Sequence, residues 1–135
     1  ESAASLGLAP VMTLATTVIA THRVARGECV GYGHVWRAPR DSRVAILAAG
    51  YADGVLRSLP GGSPVVIRGR RAPLVGRVSM DMIAIDVTDL PDVEVGTSAE
   101  LWGPTLPVEE VAAHAGTLAY ELLCGITQRV ERQTL

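Results

Sequence analysis

Val65-Val66-Ile67-Arg68-Gly69-Arg70-Arg71-Ala72-Pro73-Leu74-Val75 reads as two short β-strands joined by a tight turn. The apolar, β-branched run Val65-Val66-Ile67 suits a buried strand, Arg68-Gly69-Arg70-Arg71 suits its turn, and Leu74-Val75 suits the return. Gly69 is free to take the positive φ that a tight hairpin turn demands. On the N-terminal side, Pro60-Gly61-Gly62-Ser63-Pro64 is a strong break. Before it, Val44 to Ala49 is a continuous apolar run of the kind found in a strand covered on both faces. Pro39-Arg40-Asp41 separates that run from a strand expected over Val30 to Trp36, and Arg26-Gly27-Glu28 offers the turn back to the β-branched stretch of Met12 to Val24. On the C-terminal side, Met82 to Val87 and Ala99 to Trp102 add two strands, with Leu90-Pro91-Asp92 and Val95-Gly96 as punctuation between them.

The period changes only near the end. After Pro107, apolar residues recur at Val108, Val111, Ala112 and Ala115, the spacing of one helix face, and Gly116 stops the helix. Thr117 is placed to cap a second short helix running through Leu123 and ended by Gly125, and Arg129-Val130-Glu131-Arg132 is expected to return as a last strand. Seven or eight short strands with a small helical insert near the C-terminus predict a mainly β fold, an antiparallel barrel or sandwich, rather than an alternating α/β sheet. Residues 1–10 read as a linker and 11–135 as the domain.

The chain has 135 residues, enough for one domain of ordinary size, and 48% hydrophobic against 19% charged residues excludes disorder. A formal charge of -2 gives no global attraction to phosphate backbones or anionic lipid, so neither nucleic acid nor membrane is an expected partner. No apolar run approaches the ~20 residues of a membrane span, and no basic-then-apolar leader stands at the start, which makes the cytoplasm the expected compartment. All 12 basic residues are arginine, and lysine, phenylalanine and asparagine are absent, as in a chain from a GC-rich bacterium. Without lysine, no side-chain amine is available for a Schiff base with a carbonyl cofactor or substrate. The first residue is Glu1 rather than methionine, which suggests a processed product or a fragment of a longer protein.

Cys29 and Cys124 stand far apart and read as two buried thiols; His22, His34 and His114 have no ligand spacing, so no metal site is expected. The three tyrosines stand out by their settings: Gly31-Tyr32-Gly33, Gly50-Tyr51-Ala52-Asp53-Gly54 and Ala119-Tyr120-Glu121. A glycine neighbour lets a ligand or another backbone come close, so a phenol there is either presented or simply buried beside a turn. In Gly76-Arg77-Val78-Ser79-Met80-Asp81, the guanidinium and the carboxylate are placed to orient each other or a bound acid, a surface ion pair being the simpler reading. Arg68, Arg70 and Arg71 are either a weak anion site or a solvated hairpin tip.

Five blocks, in order, resemble the C-terminal domain of bacterial alanine racemase, a pyridoxal-phosphate enzyme. They are Pro10-Val11-Met12-Thr13-Leu14, Val30-Gly31-Tyr32-Gly33, Gly50-Tyr51-Ala52-Asp53-Gly54, Arg71 through Asp81, and Ala119-Tyr120-Glu121-Leu122-Leu123-Cys124. The resemblance implies an isomerase that interconverts L- and D-alanine for peptidoglycan. It implies a homodimer in which the β-domain of one subunit closes a site on the partner's N-terminal barrel, where a lysine carries pyridoxal phosphate. By motif, Tyr32 matches the second catalytic base, Tyr51 the residue that narrows the substrate entrance, and Met80 with Asp81 the pair at the substrate carboxylate. Arg57 and Arg77 match arginines of the outer corridor, and Tyr120 a tyrosine that reaches the cofactor phosphate. Ser79 stands where some members have cysteine, and Glu131 where proline is frequent. Lacking the lysine, the domain alone is expected to be inactive. The alternatives are the same domain in a serine racemase and a non-catalytic β-barrel binding module.

Overall fold

The computed structural model describes residues 2–135, with the main chain alone at Tyr32. The described residues form eight strands: β1 (Leu14–Val24), β2 (Cys29–Val30), β3 (Trp36–Arg37), β4 (Ser42–Leu47), β5 (Pro64–Ile67), β6 (Arg70–Val75), β7 (Ile83–Asp86) and β8 (Ser98–Trp102). Two helices follow, α1 (Val108–Ala115) and α2 (Ala119–Cys124). Six strands close an antiparallel barrel in the order β1-β4-β7-β6-β5-β8, and β2 pairs with β3 in a separate small ribbon.

The β5–β6 hairpin has a two-residue turn, Arg68-Gly69, with Ile67 opposite Arg70. Both turn residues are left-handed, at φ 53° and 71°, so the backbone twist of the turn matches that of the strands it joins. Closure of the barrel depends on β1. Its first half, Leu14 to Thr17, pairs with β8, and its second, Val18 to Val24, pairs with β4, with a register shift between Val18 and Ala20. An irregularity of this kind bends a strand, which lets one long strand serve two neighbours and abolishes a free edge.

The core fills the barrel. Leu47, Ile67, Leu74, Ile85 and Val87 meet there, and Val111, Ala112 and Leu122 of the two helices join the same cluster. A second, smaller cluster lies on the outside of the barrel, where Val44, Val75 and Ala84 pack with Val24, Ala38, Val30 and Trp36. β4 therefore buries Ala45 and Leu47 on one face and Val44 on the other, as its uninterrupted apolar run requires.

Several expectations are corrected. Val30 to Trp36 is not one strand: Gly31 and Gly33 take φ 82° and 72°, and the chain curls through a short 3-10 turn, Tyr32–His34, before β3 begins. Residues 129–132 form no strand. Leu118, not Thr117, precedes α2, and the Thr117 hydroxyl donates instead to the Glu121 carboxylate within the helix. Neither thiol is buried, since Cys29 is half-buried and Cys124 exposed. Gly116 does end α1, in the left-handed conformation at φ 71°.

Candidate functional site

The loop from Gly76 to Met82, between β6 and β7, organises the candidate site. It ends in a tight turn in which the Ser79 amide and hydroxyl both donate to the Met82 carbonyl, at 3.1 and 2.7 Å. Near its start the Tyr32 turn comes close: a Cβ built on Gly31 would lie 3.7 Å from the Arg77 nitrogen and from the Gly76 Cα. Near its end, the Tyr51 and Ala52 amides donate to the Ser79 and Met80 carbonyls, each at 3.0 Å. One loop thus touches two of the three tyrosine segments and carries Met80 and Asp81 between them.

The Gly50-Tyr51-Ala52-Asp53-Gly54 turn is built for that contact. A Cβ on Gly50 would fall 2.3 Å from the Ser79 carbonyl oxygen and 2.4 Å from that of Met80, so only glycine lets the two segments meet. Gly54 has φ 115° and lies against the residue that ends α2, with a Cβ there 2.7 Å from the Gly125 carbonyl oxygen. Asp53 stabilises the turn from within, its Oδ2 accepting the Gly50 amide at 2.9 Å.

Tyr51 is left 40% exposed and Met80 51% exposed, although the backbone of each is hydrogen-bonded across the contact. The Arg57 guanidinium stands 6.0 Å from the centroid of the Tyr51 ring, within reach of a cation–π contact. Arg77 is exposed on the loop itself. Tyr120, on α2, is 75% exposed and makes no hydrogen bond among the described residues. Its helix is tied to the Tyr51 turn by the Gly54–Gly125 approach. The side chain of Tyr32 lies outside the described atoms; the preceding residue, Gly31, lies close to the Gly76 end of the loop.

Asp81 does not pair with Arg77. Its Oδ1 is 2.8 Å from Nη1 of Arg129, whose Nε donates to Oδ1 of Asp53 at 2.9 Å. These two carboxylates, Asp81 first, push the guanidinium pKa further above its usual range. Nothing in the local sequence pattern marks Arg129 or Thr127, which the fold brings to the site from the C-terminal segment. The arginines of the β5–β6 turn are also paired. Arg70 meets Asp92 at 2.7 Å, Arg68 approaches the same carboxylate at 4.0 Å, and Arg71 binds Glu110, so the cluster is balanced by the chain's own acids and makes a poor anion site.

The donor set suits pyridoxal phosphate only as a non-covalent ligand. The chain has no lysine to hold it, and it offers an exposed phenol at Tyr120. Among the described residues no group of three His, Cys, Asp or Glu side chains is placed to hold a metal ion, and no helix is long and apolar enough to cross a membrane.

Residues 11–134 match the family model described as alanine racemase, C-terminal domain. The chain is 53% identical over 132 residues to an alanine racemase of Stutzerimonas stutzeri, and 54% identical over 132 residues to a biosynthetic alanine racemase of Pseudomonas aeruginosa. In each case the match covers 98% of this chain and 37% of the relative. The crystal structure of the biosynthetic alanine racemase from P. aeruginosa superposes with a TM-score of 0.96 at 53% identity, over 98% of this chain and 37% of that one. An alanine racemase from Bartonella henselae, with covalently bound pyridoxal phosphate, superposes with a TM-score of 0.86 at 34% identity, over 90% of this chain and 34% of that one. The chain thus spans little more than a third of the length of these relatives. On the match over residues 11–134 and the shared barrel, it belongs to the alanine racemase family, as the C-terminal domain.

Proposed function

We propose that the chain forms one wall of the active site of an enzyme that interconverts L- and D-alanine. The observation that carries this reading is the Gly76–Met82 loop, which the Tyr32 turn approaches at one end and to which the Tyr51 turn is hydrogen-bonded at the other. The enzyme works as a homodimer, with this domain closing a site on the N-terminal barrel of the partner subunit, where a lysine holds pyridoxal phosphate. When bound, that cofactor supplies an electron sink for the Cα–H bond.

The chain's own residues supply the second face. The Tyr32 phenol oxygen takes or returns the Cα proton on the side opposite the cofactor lysine. With one acid–base group on each face, the proton that leaves by one side is replaced from the other, whereas a single base returns it where it came from. An ordinary phenol has a pKa near ~10, so neighbouring cations of the assembled site must favour the phenolate. Tyr51 and Met80 narrow the entrance to the width of a methyl side chain, and the backbone at Met80-Asp81 orients the substrate carboxylate. Arg57 and Arg77 line the outer corridor, and Tyr120 donates to the cofactor phosphate. The product D-alanine serves peptidoglycan synthesis in the cytoplasm. The domain alone has no activity, because it has no lysine.

The test uses the full-length holoenzyme, supplied in parallel with L-alanine and L-serine and followed by loss of optical rotation. A kcat/KM for alanine well above that for serine is expected. The reverse preference would assign the domain to a serine racemase, and no turnover of either would leave it as a binding module.

A further inference from the structure

Among the described residues, Arg129 is the one side chain that joins both carboxylates flanking the candidate site. Its Nε donates to Asp53 at 2.9 Å, and its Nη1 lies 2.8 Å from Asp81. The two acids differ in setting. The Asp53 side chain is only 15% exposed and is further engaged with the Gly50 amide, whereas the Asp81 side chain is 57% exposed. The segment that brings Arg129 is itself sewn to the Tyr51 turn. The Thr127 amide donates to the Asp53 carbonyl at 3.3 Å and its hydroxyl to the Ala52 carbonyl at 2.7 Å. The Ala52 and Tyr51 amides in turn hold the Met80 and Ser79 carbonyls. Removal of the guanidinium would leave two like charges across a contact whose backbones meet with no room for a methyl group.

We propose that Arg129 is a positioning residue for the substrate mouth: it locks the Tyr51 turn to the Met80-Asp81 loop and holds the Asp81 carboxylate away from the carboxylate of the bound amino acid. The inference rests on the alanine racemase reading above. The Arg129–Asp81 pair is exposed and contributes little to global stability, so its effect belongs to the local geometry and charge of the mouth rather than to folding of the domain. A carboxylate released next to an anionic substrate group opposes binding directly, and it does so without touching the atoms that react.

The experiment uses the full-length holoenzyme as wild type, Arg129→Gln, Arg129→Lys, Asp81→Asn and the double variant Arg129→Gln/Asp81→Asn. Two readouts are taken on each: KM and kcat for L-alanine, and hydrogen exchange by mass spectrometry of peptides covering 50–54 and 79–82. Arg129→Gln is expected to raise KM about tenfold while kcat changes by less than about threefold, the order expected of one unpaired charge near the substrate. Arg129→Lys, which keeps the charge but not the two-pronged geometry, is expected to fall between. In the double variant KM falls at least about threefold below that of Arg129→Gln, because the released charge is gone. Exchange in the two peptides rises at least about tenfold in Arg129→Gln and stays as in wild type over β7. Unchanged exchange in those peptides, or a KM within about twofold of wild type, overturns the clamp. A KM that rises with no recovery in the double variant overturns the charge-shielding role. A wild type that racemises no alanine, with the exchange pattern as expected, refutes the functional reading and leaves the clamp standing.

Discussion

Replacement of Gly50 by alanine tests the contact on which the candidate site depends. Gly50 needs no unusual φ, so the substitution carries no backbone strain of its own, and its whole effect comes from space. The new Cβ would lie 2.3 Å from the Ser79 carbonyl oxygen and 2.4 Å from the Met80 carbonyl oxygen. Ordinary contact begins near ~3.5 Å, so the loop must retreat by about 1 Å. The Tyr51 and Ala52 amides bond to those same two oxygens at 3.0 Å, and a retreat of that size breaks both bonds. Two lost hydrogen bonds at about 1 kcal/mol each, with an overpacking cost of about 1–3 kcal/mol, give a loss of about 3–5 kcal/mol. For a domain of this size that corresponds to a Tm lowered by about 10–18 °C. Gly61→Ala is the matched control, because its Cβ would meet the Leu74 carbonyl oxygen at an ordinary 3.7 Å. It should change stability by no more than about 1 kcal/mol, on the stabilising side. Thermal and urea unfolding of the 135-residue chain measure both. Equal melting of the Gly50→Ala and Gly61→Ala variants would refute the packing derived for the two loops.

Three further outcomes follow from the same structure. The Arg71 guanidinium, through its hydrogen bond, holds the Glu110 carboxyl below its ordinary value of 4.5. The unfolded chain therefore takes up that proton first, and the pair's contribution, complete above the unfolded value, is lost as pH falls through the folded one. Glu110→Gln should lower stability slightly at neutral pH, where the pair is complete, and flatten its dependence on pH across that acidic window; an unaltered acid limb in urea unfolding would contradict this. Ile85, fully buried in β7 at the centre of the barrel, should cost about 2–5 kcal/mol when cut to alanine, read from the urea midpoint, and a loss below ~1 kcal/mol would show a core looser than described. The chain by itself, mixed with pyridoxal phosphate and gel-filtered, should keep no cofactor absorbance and turn over no alanine, since it has no lysine; retained absorbance would refute this.

Local pattern foretold the parts of the fold that local physics governs. The hairpin turn at Gly69, the doubly covered β4 and the Gly116 stop of α1 each rest on a residue type that suits one conformation, whereas the positive φ of Arg68 and the start of β6 at Arg70 are not marked by residue type. The stretch from Val30 to Trp36 misled, because its apolar residues suit a strand while Gly31 and Gly33, both at positive φ, curl the chain. The segment Arg129 to Arg132 misled for a different reason. Its alternation looks like a strand, but the barrel is already closed by β1 and β8 and offers no edge for it. In the candidate site, glycine spacing drew attention to Tyr32 and Tyr51, and only family resemblance gave them roles. Arg129 escaped notice because its partners Asp53 and Asp81 lie far off in the chain, and pairing at that range leaves no period to read. The same distance hid the true partner of Asp81, for which Arg77 was the near candidate.

The proton-transfer role proposed for Tyr32 is tested by α-proton exchange from L-alanine and from D-alanine, compared between full-length wild type and Tyr32→Phe. Loss of exchange from the L-enantiomer, with exchange from D-alanine retained through the cofactor lysine, is the expected result. Exchange from both enantiomers at the wild-type rate would contradict it, and would leave this domain as a cover for the site rather than a source of its second base.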